Sequence, residues 1–176
     1  MSVIKHKRGI SEMEFYKNAL RLQTVTTQWY MSDFGNTKSV KRIKTVLPDI
    51  SEEDEEILTH ILKKNGIGSI FKTTINPRFL DSEWDVLSKH LRNLISNLTH
   101  ANSIYPTNQQ ELDRRRDYQN KAIGDCYSIS QEFQYIASVI SIDLNKIKPL
   151  LDLLDNEISL IKGWRKSDSK FRKKFG

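Results

Sequence analysis

The sequence predicts an all-α fold: a four-helix bundle with a short helix inserted between the first and second long helices. Three observations carry this. Helix breakers are scarce, with 7 glycines and 4 prolines in 176 residues, which disfavours many short strands joined by tight turns. Apolar residues recur at intervals of three and four over long runs, the spacing that lines one helix face. The last three of those runs are joined by short connections, which makes their helices antiparallel neighbours. The hydrophobic share is 38% against 28% charged residues. That share is low, but its strong patterning argues against global disorder.

Ser11-Glu12-Met13-Glu14 reads as a capping box, with Ser11 as N-cap and Glu14 reaching back. Phe15, Ala19, Leu22, Val25 or Thr26, and Trp29 then form a stripe. Asp33-Phe34-Gly35-Asn36 is expected to stop this helix, with Gly35 in the left-handed C′ conformation. The first long helix is therefore expected over 11–34.

Residues 36–77 read as an insertion. Lys38, Lys41, Arg42 and Lys44 are basic. Ser51 then caps a short helix whose acids, Glu52 to Glu56, lie at the positive end of its dipole. It runs through Ile57, Leu58, Ile61 and Leu62 to Asn65-Gly66, and 66–77 reads as a loop.

After Pro77, Trp84, Leu87, Leu91, Leu94, Ile95, Leu98 and Ala101 alternate at three and four, predicting a helix over 79–104. It ends before Pro106, because the residue preceding proline avoids the helical region. Asn108 or Thr107 caps the next helix, over 108–141, with Leu112, Gln119, Ala122, Ile123, Cys126, Ile129, Phe133, Ile136, Ala137 and Ile140 on one side. Gly124 in its interior is expected to mark a close helix–helix approach. Asp143 caps the last helix, over 144–164, whose stripe is Ile147, Leu150, Leu151, Leu154, Ile158 and Ile161. Pro149 is expected in or near its first turn, where proline is tolerated. The organisation is thus a basic arm over 1–10, a bundle over 11–164 and a basic tail over 165–176.

The lone cysteine, Cys126, forms no disulfide within the chain and suits a reducing compartment, so a cytoplasmic protein is expected. No secretory leader is read at the N-terminus, and no stretch approaches the roughly 20 apolar residues of a membrane span. The formal net charge is +6, and it is concentrated at the ends. Residues 1–8 carry +3 and residues 162–176 carry +6, which leaves 9–161 at −3. End-loaded positive charge points to a polyanionic partner.

Catalytic chemistry is nearly absent from the sequence, so a non-enzyme without cofactor or metal is expected. The Glu-x-x-His pairs of a di-iron bundle do not occur; Glu56 and His60 are the nearest approach. No phosphate-cradling glycine loop or nucleophile elbow appears. Cys126 lies on an apolar stripe, as buried structural cysteines do.

The basic segments remain. Arg114, Arg115 and Arg116 are consecutive on a helix beside Tyr118, and three such residues span about 300°, so at least two should face solvent. Guanidinium forks suit phosphate, and a neighbouring ring could stack on a base. The competing reading is that Glu111, Asp113 and Asp117 neutralise them along the helix surface. Near the C-terminus, Arg165, Lys166, Lys170, Arg172, Lys173 and Lys174 alternate with Trp164, Phe171 and Phe175, combining cations for a backbone with stacking faces. The bland reading packs Trp164 at the bundle end and leaves a frayed tail.

The segments Ala101-Asn102-Ser103-Ile104-Tyr105-Pro106, Tyr118-Gln119-Asn120-Lys121-Ala122-Ile123, Gln131-Glu132-Phe133-Gln134-Tyr135 and Lys162-Gly163-Trp164-Arg165-Lys166-Ser167-Asp168 resemble the accessory variability determinant (Avd-like) class. These are four-helix-bundle proteins of diversity-generating retroelements. The resemblance covers most of the chain outside 36–77, and its motifs are not catalytic. It implies a protein that binds RNA or DNA, associates with a reverse transcriptase and its template RNA, and forms a ring-like homo-oligomer, a pentamer, with a positive surface. The alternative is a protein-interaction bundle of a phage or mobile element that contacts partners through 36–77 and binds no nucleic acid.

Overall fold

The computed structural model describes residues 9–46, 51–64, 77–140, 142 and 144–175, with the side chains of 33–46 and 172–174 among those outside that description. The described residues form helices and no strand: α1 (Glu14–Val46), α2 (Glu52–Lys64), α3 (Pro77–Ser103), α4 (Gln109–Val139), α5 (Leu144–Ser167) and α6 (Ser169–Phe175). The fold is an all-α bundle. The chain divides into two compact units, residues 1–25 with 86–176, and residues 26–85.

In the first unit, the start of α1, the end of α3, and all of α4 and α5 form the bundle. Contacts define its antiparallel order. Phe15 at the start of α1 stacks on Trp164 near the end of α5, centroids 4.2 Å apart. Asn97 Nδ2 on α3 donates to Asp125 Oδ2 on α4 at 2.8 Å, and His100 stacks on Tyr118 at 5.1 Å. The buried stripe follows the alternation of three and four. Leu87, Leu91, Leu94 and Leu98 are at most 1% exposed, as are Leu112, Cys126, Ile129, Phe133 and Ile136 on α4. Burying such side chains contributes about 1.5–3 kcal/mol each relative to exposure.

In the second unit, Tyr30 on α1 stacks on Trp84 of α3 at 4.6 Å, and its hydroxyl donates to the Leu80 carbonyl. Burial, with Asp81, Glu83 and Asp85 nearby, pushes the Tyr30 phenol well above its ordinary range. Ser51 caps α2 as expected, its Oγ accepting from Asp54 N at 3.1 Å.

Several boundaries differ from the sequence reading. Helix α1 runs through Gly35 to Val46. A glycine stops a helix only if it turns left-handed; left helical it costs about 1 kcal/mol relative to alanine. No further glycine or proline follows until Pro48. Ser11 is not the N-cap. It lies inside a 3-10 turn over Ile10–Glu12, and the Met13 carbonyl accepts from Tyr16 and Lys17. Helix α3 begins at Pro77, which has no N–H to lose there. Asn108 is the N-cap of α4, accepting from Glu111 N at 2.9 Å. Thr107 N and Oγ1 in turn donate to Glu111 Oε2, which holds that carboxyl below its ordinary value. The expected cap Asp143 lies outside the described residues. Pro149 is the sixth residue of α5, in its second turn rather than its first, at an exposed position. Residues 165–167 continue α5, and 169–175 form α6.

Gly124 marks no close approach: it is exposed, and a Cβ built there meets nothing within 4 Å. Gly124→Ala should therefore stabilise the protein by about 0.5–1 kcal/mol, read as a higher denaturant midpoint with unchanged slope.

The core holds a carboxyl where α1 meets α5. Glu157 is 0% exposed, and its Oε2 accepts from Asn18 Nδ2 at 2.7 Å. Asn18 also donates to the Leu153 carbonyl and accepts from Asn156, tying α1 to α5. Glu157 Oε1 is buried without a hydrogen-bond partner. Burial pushes this acid from the ordinary 4.5 up to about 8, despite the opposing Asn18 bond. The folded state thus holds a proton that the unfolded chain releases, so stability falls as pH rises between these two values. Chemical denaturation at pH 5 and pH 8 should show stability dropping with a slope of up to about 1.4 kcal/mol per pH unit. Glu157→Gln should flatten that dependence.

Candidate nucleic-acid interface

On α4, Leu112, Arg115, Gln119, Ala122, Cys126 and Ile129 follow the three–four alternation, and all are buried. Arg115 and Gln119 therefore occupy core positions. On α5 the same alternation runs Ile147, Leu150, Leu154, Glu157, Ile161 and Trp164, and its next step falls on Asp168, just past the helix end. The polar ends of these two stripes meet. Arg115 Nε and Nη2 donate to Asp168 Oδ2 and Oδ1 at 2.8 and 3.1 Å, a bidentate pair. Gln119 Nε2 donates to Asp168 Oδ2 at 2.9 Å. Arg115 Nη1 donates to the Ile104 carbonyl at 2.7 Å, in the α3–α4 connection. The guanidinium carbon lies 4.8 Å from the Trp164 ring centre.

Asp168 also joins α5 to α6. Its N–H donates to the Trp164 carbonyl and its own carbonyl accepts from Phe171 N. Helix α6 packs on α4 and α5, and Phe171 meets Tyr105 edge-on at 5.5 Å. Arg115 is 8% exposed and Asp168 2%. All three guanidinium nitrogens of Arg115 are engaged inside the protein, so it is withdrawn from the candidate phosphate ligands.

The other candidates separate onto different faces. Arg114 is exposed and stands one turn before Tyr118, with Lys121 one turn beyond. Lys121 Nζ is 5.2 Å from the Tyr118 ring centre, and exposed His100 stacks on the same ring. Arg116 is half-buried and lies one turn before Asn120, whose Oδ1 accepts from Arg165 Nη1 at 2.6 Å. Lys166 and Lys170 are exposed, the latter 5.3 Å from the Phe171 ring centre. Arg172, Lys173 and Lys174 belong to α6, and their side chains lie outside the described residues. Among the described residues, no ion pair ties Glu111, Asp113 or Asp117 to these arginines. Asp113 accepts from Gln109, and Glu111 from Thr107.

The sequence reading missed His100, Tyr105, Lys121 and the core role of Arg115. For Lys121 a signal existed, since Arg114, Tyr118 and Lys121 are spaced four and three and so share a face. For Arg115 the signal was its heptad position. Nothing local marks His100 or Tyr105, whose partners come from other helices.

Among the described residues, no group of three or more His, Cys, Asp or Glu side chains is arranged to hold a metal ion. Glu56 and His60 are exposed on α2. Cys126 is 0% exposed, and burial first, then the nearby Glu157 and Asp125, push its thiol up. Among the described residues, no helix is long and apolar enough to cross a membrane.

Removing one member of the buried pair strands the other. Asp168→Ala should destabilise the protein by about 3–5 kcal/mol, whereas Arg115→Met combined with Asp168→Leu should cost much less. Urea denaturation of the single and double variants measures the difference.

A scan against family models finds no match for this chain, and no curated protein or solved structure matches it either.

Proposed function

We propose that this protein is a non-enzymatic nucleic-acid-binding accessory protein, one that associates with a reverse transcriptase and template RNA in a retroelement. The observation that carries the nucleic-acid reading is the end of the bundle where α3, α4, α5 and α6 meet. There Arg114, Lys121, Lys162, Lys166 and Lys170 are exposed, and His100, Tyr105 and Tyr118 stand among them. The only acidic side chain in 162–176 is Asp168, and it is turned inward onto Arg115. No side-chain carboxylate of that segment is left to offset the lysines around it. Such an outward set of cations suits a phosphate backbone. The reverse transcriptase and the retroelement rest on the resemblance to the accessory variability determinant class, which also implies assembly of several copies.

The test uses surface cations only, because reversing Arg115 or deleting 165–176 would break the buried pair. Binding of a structured RNA, read by fluorescence anisotropy across salt, should be steeply salt-dependent. Arg114→Glu, Lys166→Glu and Lys170→Glu together should weaken it at least about tenfold. They should also flatten the salt slope by about 0.7–0.9 for each phosphate no longer neutralised. Parent-like binding by that variant would rule this end out as the site.

One observation favours the protein-interaction reading. On α2, Ile57 and Ile61 are 57% and 51% exposed and one turn apart, beside Glu53, Asp54 and Glu56. Ile57→Asp should abolish capture of a protein partner that survives nuclease treatment if that reading holds, and leave RNA binding unchanged.

A further inference from the structure

We propose that Tyr105, with the His100–Tyr118 stack, is a stacking platform for unpaired nucleobases, so that the protein prefers single-stranded segments of RNA to duplex. This rests on the nucleic-acid reading above and names the form of the ligand.

Tyr105 is 72% exposed, yet its backbone is held on both sides. The Ile104 carbonyl before it accepts from Arg115 Nη1 at 2.7 Å, and Pro106 after it is buried. A residue preceding proline is also confined to extended conformations. The Phe171 ring meets the Tyr105 ring edge-on, leaving Tyr105 supported but open. An aromatic side chain that is both exposed and pre-ordered loses little entropy when a flat ligand lands on it. Ordinary burial of apolar surface does not account for such a position.

The surroundings match a single strand. His100 is exposed and lies on the Tyr118 ring at 26° between planes, a second flat surface next to the α3–α4 connection. Lys121 and Arg114 flank Tyr118 along α4, and Lys170 flanks Phe171 on α6. Cations beside rings, with further rings exposed next to them, are the elements of single-strand binding: charge tracks the backbone while bases stack. A duplex presents phosphates but keeps its base faces covered by their neighbours, so it would engage the cations alone.

The experiment compares two probes on the full chain at one salt concentration. One is an oligouridylate of about 12 nucleotides and the other a blunt RNA duplex of about the same length. The parent should bind the oligouridylate more tightly. Tyr105→Ala should weaken that binding by about tenfold, within the range of a single base–ring stack, and change duplex binding less than about twofold. Tyr105→Phe should bind like the parent, since the ring rather than the hydroxyl is required. Circular dichroism checks that both variants fold, which the exposure of the side chain favours. Equal losses on both probes, or none on either while Lys166→Glu still weakens both, would overturn the platform and leave backbone binding intact. A parent that binds neither probe would overturn the nucleic-acid reading itself.

Discussion

The structure of the bundle end depends on one buried ion pair, Arg115 with Asp168. Leucine layers are nearly interchangeable, so a stripe of Leu and Ile tolerates slippage by a heptad at modest loss. A guanidinium and a carboxylate inside the same stripe do not, because any other register leaves both charges dry and unpaired. This pair sets where α4 lies along α5. Through the Ile104 carbonyl it holds the α3–α4 connection, and through the backbone of Asp168 it starts α6. Gln119 and Trp164 complete the shell around it.

The same pair shapes the electrostatics of the surface. It takes the one acidic side chain of the C-terminal segment out of solvent, together with the middle arginine of the Arg114–Arg116 run. Arg114, Lys121, Lys162, Lys166 and Lys170 stay outside at that end, with Asp113 and Asp117 exposed beside Arg114 on α4. A structural device inside the bundle thereby removes the one carboxylate of residues 162–176 from the surface, leaving the exposed Lys162, Lys166 and Lys170 of that segment without an acidic neighbour within it. The rings at that end are held by the same scaffold, since Tyr105 follows the pinned Ile104 and Phe171 follows Asp168.

A second polar layer lies eleven residues earlier on α5, about 16 Å away at the helical rise. There Glu157 takes its hydrogen bond from Asn18 of α1. It differs from the first layer in kind. Arg115 supplies Asp168 with a full opposite charge, whereas Asn18 gives Glu157 only a dipole. Burial therefore favours the protonated acid at Glu157. One layer joins α4 to α5 and the other joins α1 to α5, so the two polar layers specify different helix pairs.

Local pattern was enough for the all-helical class, the apolar stripes of the four long helices, the Ser51 cap, a cap of α4 at Thr107 or Asn108, and the break before Pro106. These depend on periodicity and on side chains that bond within their own turn. The chain's charge distribution also put positive charge at the C-terminal end, but could not separate the three arginines. Consecutive cations look alike until a partner is found, and the partner of Arg115 lies 53 residues away. The heptad positions of Arg115, Glu157 and Asp168 were legible, yet charge at a core position is unfavourable without its counterpart, so local pattern alone argues against burial there. Which charges go inside was settled by packing, because only one helix lying on another brings the compensating group within hydrogen-bond distance. Packing likewise made 165–175 a docked helical end, anchored by Asp168, and set Tyr105 outward between two fixed neighbours.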